Sequence, residues 1–217
     1  MILSNSGRAP RIGSTLVMAW WAILCSACTS TATKEPAAGS QVDVQHSVGF
    51  TITESAKIAE QSRADYDEAM ILLQQNRLDE GVDLLEMVVD AAPALSAPRI
   101  DLGIALRRTG DTEAAEKHLL LALESSPQHA IAHNELGILY RETGRFQDAR
   151  RSYEAALDVY PNYHYARRNL AVLCDLYLGD LQCAMDNYES YMTTVFTDKE
   201  VSMWMADLEN RLKETKR

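Results

Sequence analysis

From Ser96 onward, apolar residues return every three or four positions in short blocks, and polar or glycine-bearing breaks separate the blocks at regular intervals. Leu102, Ala105 and Leu106, then Ala115, Leu119, Ala122 and Leu123, fall at i, i+3, i+4 and i+7 spacings. That pattern builds one apolar stripe on each of two helices and predicts that the stripes face each other. Gly110 and Gly144 sit where the chain must reverse, which suits a residue able to take positive φ. Pro127 and Pro161 lie where each second helix must end.

The blocks recur. Pro93, Pro127 and Pro161 stand 34 residues apart, and the windows 96–129 and 130–163 agree at eight positions. Leu102, Gly103, Leu106, Gly110, Ala115, Leu119, Ala122 and Pro127 in the first match Leu136, Gly137, Tyr140, Gly144, Ala149, Tyr153, Ala156 and Pro161 in the second. Gly103, Gly137, Ala115 and Ala149 remove bulk where two helix axes approach, and a larger side chain there would overpack the contact. These residues and their spacing resemble the tetratricopeptide repeat. The resemblance implies an all-α solenoid of helical hairpins, about four repeats with a capping helix at the C-terminal end.

The flanks depart from the pattern. Window 62–95 is a degenerate first repeat, with Glu68, Ala69, Leu72, Asn76, Gly81, Leu85 and Val88 at the equivalent positions. Window 164–196 keeps Leu170, Ala171 and Cys174, but Gly179, Ala184, Tyr188 and Tyr191 align only if one residue is inserted before the turn. Over 197–217, Thr197 with Glu200 forms a capping-box signature, and Val201, Trp204, Met205, Leu208 and Leu212 make one apolar face. A stack of hairpins needs such a closing helix. Upstream, 50–61 is an N-terminal extension, and Val48 just before it alternates with Phe50 and Ile52 in a strand-like pattern expected to lie against the first hairpin.

The amino terminus carries an address. Arg8 and Arg11 precede an uncharged run from Leu16 to Leu24, followed by Cys25, Ser26, Ala27 and Cys28, the layout of a signal peptide over 1–27. Small residues before Cys28 resemble the lipobox of bacterial lipoproteins, which implies lipidation of Cys28. Cys25 occupies the place where that motif usually has leucine, so ordinary secretion to the soluble periplasm is the alternative. Thr29 after the cysteine implies, by the rule for such lipoproteins, passage to the outer membrane with the chain facing the periplasm. Residues 28–49 are small and polar without an apolar period and read as a flexible tether.

Composition narrows the function. The 217 residues are 47% hydrophobic and 24% charged, ordinary for one elongated helical domain. Loss of 1–27 removes two arginines and no acid, taking the net charge from −10 to −12 and disfavouring nucleic acid as a partner. No phosphate loop, nucleophile elbow or compact His/Cys ligand set occurs, so neither catalysis nor a cofactor is expected. His129 and His133 are four apart but adjoin the break at Pro127, a poor metal pair. Glu113 with Glu116, and Glu135 with Glu142, read as solvated helix surface. Cys174 and Cys183 flank the altered turn and form either a disulfide or two buried thiols.

The resemblance places partner binding in a concave groove lined by the first helix of each repeat. Its candidates are Tyr66, Met70 and Leu73, then Ile100, Ile104, Arg107 and Arg108, then Ile131, Asn134, Ile138 and Arg141, then Tyr165, Arg168, Asn169, Val172 and Leu176. Aliphatic anchors and arginine forks suit a peptide or a partner helix. The alternative for Arg107, Arg108 and Arg141 is to offset the helix dipole at helix C-termini. The clamp that chaperone-binding repeats use for terminal carboxylates is not reproduced, since its positions hold Asp101 and Glu135. The chain is similar to repeat lipoproteins that act as pilotins for type IV pilus secretins, and to repeat proteins that accompany TonB systems. A tethered positioning factor for a cell-wall enzyme is a further reading. Cys28→Ser should abolish labelling by radioactive palmitate and release the chain to the soluble periplasm, and unchanged membrane attachment would refute lipidation at Cys28.

Overall fold

The computed structural model describes residues 41–45, 49–54 and 58–215. The signal peptide over 1–27, the acceptor Cys28 and most of the expected tether lie outside the described residues. Within the stretch read as tether, Gln41–Gln45 (β1) pairs antiparallel with Gly49–Thr53 (β2), with Val42 opposite Ile52 and Val44 opposite Phe50. The strand-like alternation near Phe50 is therefore one arm of a hairpin. An extended run needs a neighbour for its N–H and C=O groups, and the polar 28–49 stretch supplies it.

The remainder is helical hairpins in series. Glu60–Gln74 (α1) packs on Leu78–Ala91 (α2), Ala97–Thr109 (α3) on Thr112–Ser125 (α4), and Ala130–Glu142 (α5) on Phe146–Val159 (α6). The fourth hairpin is His164–Leu173 (α7) with Leu181–Thr194 (α8), and Lys199–Glu214 (α9) closes the stack against α8. Each second helix also touches the first helix of the next hairpin, so the core is continuous from Ala69 to Leu208. This is the expected helical solenoid, with the β1–β2 hairpin added upstream.

Close approach within each hairpin follows from the small residues. Ala69, Gly103, Gly137 and Ala171 on the first helices, and Gly81, Ala115, Ala149 and Ala184 on the second, are all buried. Leu85, Leu119, Tyr153 and Tyr188 fill the space beside them and are almost completely excluded from solvent. The turns repeat too. Asn76 takes φ 61° where later repeats have glycine, and asparagine tolerates this left-handed conformation better than most side chains.

Glu54, in the extension, accepts hydrogen bonds from the Ser96 N–H at 2.8 Å, the Ala97 N–H at 3.3 Å and the Ser96 hydroxyl. It thereby caps α3, which has no cap from its own side chains. A carboxylate there satisfies orphan donors and meets the positive end of the helix dipole. Expected against the first hairpin, the extension at this residue instead reaches the second.

The inserted residue of the fourth repeat is absorbed in a π-helical turn, Cys174–Leu178, at the end of α7. Asp111 N–H bonds to Leu106 C=O and Arg145 N–H to Tyr140 C=O, whereas Asp180 N–H reaches back to Cys174 C=O, one residue further. Single-residue insertions are commonly held in helices this way. Cys174 and Cys183 are joined in a disulfide across this turn, so they are not two thiols. Closing so short a loop stabilises by roughly 2–3 kcal/mol in the chain-entropy account. At α9 the cap is Asp198 rather than Thr197. Its carboxylate accepts from Glu200 N–H and Val201 N–H, both at 3.1 Å, and from the Tyr191 hydroxyl at 2.8 Å.

The tightest of these approaches is at Gly137, where an added Cβ would lie 2.4 Å from Tyr153 Cε1, in a ring with no room to withdraw. Gly137→Ala should therefore destabilise the fold by about 1–3 kcal/mol despite the better helix propensity of alanine. A lowered urea midpoint with unchanged slope would show it, and an unchanged or raised midpoint would refute the overpacking.

Candidate partner-binding face

Helix α3 touches α5, and α5 touches α7, whereas contacts between successive second helices are weaker or absent among the described residues. First helices thus lie closer together and form the inner, concave side. Met70, Ile104, Ile138 and Val172 recur there at 34-residue intervals, one per repeat, each half-buried against the core. The fold therefore sets four aliphatic side chains on corresponding faces of adjacent helices.

Polar residues beside this row bond from one repeat to the next. Tyr66 donates to Asp101 Oδ2 at 2.5 Å, and Asn169 donates to Asn134 Oδ1 at 3.0 Å. Arg107 donates to Glu142 at 3.0 Å and to Glu135 at 3.4 Å. Arg168 reaches Glu200 at 3.4 Å with its guanidinium 5.1 Å from the centre of the Trp204 ring. Arg108 donates to Asn76 at 3.0 Å. Burial raises the carboxyl pKa values of Asp101 and Glu135, opposed at Asp101 by the Tyr66 hydrogen bond and at Glu135 chiefly by the Arg107 charge.

Several sequence expectations change here. Ile100 and Asn134 are 3% and 2% exposed, so they belong to the interior and are not available to a partner. Arg107 and Arg168 already hold carboxylates of this chain, which leaves the face less basic than its composition suggests. Glu135 and Glu142 are not simply solvated, because they are the partners of Arg107. Glu116 is likewise bound, by Arg145 at 2.8 Å and by the Tyr140 hydroxyl at 2.9 Å. The overlooked signal was the offset of 35 residues in Tyr66–Asp101, Arg107–Glu142 and Asn134–Asn169, one repeat plus one position. Tyr66, Met70, Ile104, Ile138 and Arg141 are half-buried. Tyr165 and Leu176 are the open side chains at its C-terminal end, 60% and 68% exposed.

His129 and His133 do not form a metal pair. His129 is buried and accepts at Nδ1 from Ala132 N–H, capping α5, while His133 Nε2 lies 2.9 Å from the Pro127 carbonyl oxygen. Cys174, Asp180 and Cys183 converge, but the disulfide leaves neither sulfur as a thiolate for a metal. Among the described residues no helix is long and apolar enough to cross a membrane.

The sequence model of the tetratricopeptide repeat matches residues 96–162, and a second model of that repeat matches 62–87. Both matches end before the repeat that carries the inserted residue. Among solved structures, MamA from Desulfovibrio magneticus RS-1 superposes with TM-score 0.64 at 16% identity, over 74% of this chain and 90% of that one. PilF of Pseudomonas aeruginosa gives 0.65 at 20% identity, over 71% of this chain and 70% of its own. The chain is folded as a tetratricopeptide-repeat solenoid. A single such domain, the first repeat domain of Spaghetti (RPAP3) bound to the HSP90 peptide SRMEEVD, aligns at TM-score 0.52 and 20% identity, over 56% of this chain and 97% of that one. No curated protein sequence matches the chain.

The junction before α5 is pH-sensitive. Burial pushes the His129 imidazole from 6.5 down to about 4, with His133 adding to the shift and Glu54 opposing it. A depressed histidine pKa means that the neutral ring contributes stability fully above pH 6.5, and that this stability is lost as pH falls toward 4. His129→Asn keeps a capping acceptor but does not titrate. Between pH 7.5 and pH 4 the parent chain should lose roughly 2–3 kcal/mol more than this variant in urea unfolding. Equal losses would show that His129 is not the group that titrates.

Proposed function

We propose that this protein is a non-catalytic scaffold that binds a peptide or a partner helix along the inner face of its repeats. The observation that carries the reading is the aligned row of Met70, Ile104, Ile138 and Val172, which a solenoid core does not require to be half-exposed on one face. Four aliphatic positions at one-repeat intervals suit an elongated apolar ligand, because each repeat adds an equivalent anchor point. The RPAP3 repeat domain, similar only in fold, binds a peptide, which supports the use of this architecture for such a task.

The scaffold acts in the bacterial cell envelope, held by a lipid on Cys28 to the outer membrane and facing the periplasm. It assists assembly of an envelope machine in the manner of a pilotin. The leader layout and the small residues before Cys28 support the address, and the disulfide between Cys174 and Cys183 accords with an oxidising compartment.

Crosslinking in the native envelope, followed by recovery of a tagged chain, tests the proposal directly. The triple variant Ile104→Ala, Arg108→Ala, Ile138→Ala should retain helical circular dichroism and lose the crosslinked partner. If the folded variant keeps every partner, the inner face is not the binding surface.

A further inference from the structure

In each later repeat the first helix packs on the second helix of the hairpin before it, whereas no helical hairpin precedes α1 among the described residues. Ala64, Glu68 and Ile71 fall at i, i+4 and i+7 on α1, so they share one side of that helix. The places of Glu68 and Ile71 are held in the later repeats by Leu102 with Ala105, Leu136 with Leu139, and Leu170 with Leu173, and all six are buried. On α1 the same side is open: Ala64 and Glu68 are exposed, and Ile71 is 53% exposed. On α2, Met87 is 52% exposed where Leu121 and Ala155, at the same place in their repeats, are half-buried. The inner row takes Met70 from α1, and the next residue, Ile71, is turned about 100° from it around the helix axis. The open side is therefore a surface separate from the inner face. Over 60–91 nine acids face two arginines, a net charge of −7 within a chain of −10. Of those acids only Glu80 is in an ion pair among the described residues, with Arg77. The other end of the stack is finished differently, by α9 with Ser202, Glu209 and Lys213 exposed, the polar outer side that a terminal helix needs. The open side of α1 joins a carboxylate to an exposed isoleucine and is not a cap of that kind.

We infer that the open side of α1 is a docking surface for an amphipathic helix of another protein, one that carries an arginine or lysine within its apolar stripe. The repeats themselves supply the template, because in every later hairpin a helix covers this place. Ile71 gives the incoming helix an apolar anchor. Glu68 stands where each later repeat has leucine, so an all-apolar helix laid over it would bury a carboxylate without a partner, which is unfavourable. A cation at that point of the incoming stripe removes the penalty, and the surrounding acids favour the approach of a basic segment. A second copy of this chain does not meet the requirement. Its second helices α2 and α8 hold no lysine or arginine, and α4 and α6 are each already packed against a helix on either side. The use of this surface does not depend on the function proposed above for the inner face.

The probe is a phage-displayed library of helix-forming peptides of about 18 residues, with a fixed leucine stripe in which one central position is randomised, selected on the full chain. Lysine and arginine should be enriched at that position. Synthetic copies should bind about tenfold or more weakly to Ile71→Glu and to Glu68→Lys, both changes of exposed residues that should leave the circular dichroism of the chain unaltered. Selection repeated on Glu68→Lys should replace the enriched cation with Asp or Glu, and selection on Glu68→Leu should replace it with leucine. Binders that hold equally to Ile71→Glu and Glu68→Lys overturn the proposal, and if Ile104→Arg removes them, they sit on the inner face, whose reading stands. A library with no binder, or with no charge preference at the central position, also overturns it and leaves α1 as a polar cap only. Sedimentation of the full chain should show no self-association that Ile71→Glu abolishes, and such an association would make the occupant a second copy and overturn the assignment to another protein.

Discussion

Every feature of this molecule depends on how closely the two helices of a hairpin can approach. Gly137 against Tyr153 shows the constraint in its tightest form, because the ring occupies the volume that any Cβ would need. Ala115, Ala149 and Ala184 repeat the device on the second helices, and the large residue near each fills what the small one leaves open. No hairpin can bury its outer stripe alone, so the next must cover it. The result is a core that is continuous along the chain but only one hairpin deep.

The same stacking gives the solenoid its inner face. First helices meet their counterparts in the next repeat more closely than second helices do, so residues at equivalent positions come into register across the inner face. Register makes the hydrogen bonds between repeats periodic: a residue reaches one repeat plus one position ahead, as in Tyr66–Asp101 and Asn134–Asn169. These bonds neutralise much of the charge that the sequence places on the groove. The pairing does not recur at Arg141, because Asn169 and Leu176 stand where Arg107 meets Glu135 and Glu142.

The irregular ends are continuous with the regular centre. An extra residue in the fourth repeat leaves the axis of the stack unbroken because a π-helical turn absorbs it, and the disulfide holds that turn to α8. Glu54 caps α3 from outside the repeats, and Asp198 caps the closing helix while accepting from Tyr191. Each of these contacts satisfies backbone donors that would otherwise face no partner at the start of a helix.

The repeat period, the helical hairpins, the closing helix and the position of the insertion were all legible in the sequence, because spacing and side-chain volume act locally and repeat. Met70, Ile104 and Ile138 were legible as face residues for the same reason. Burial of Ile100 and Asn134, occupation of Arg107 and Arg168, and capping by Asp198 instead of Thr197 were decided only in three dimensions. Periodicity reports which side of a helix a residue occupies, but not what the neighbouring repeat brings against it. Whether an arginine is open to a ligand depends on acids 28 and 35 residues away, and the superhelix alone sets that distance.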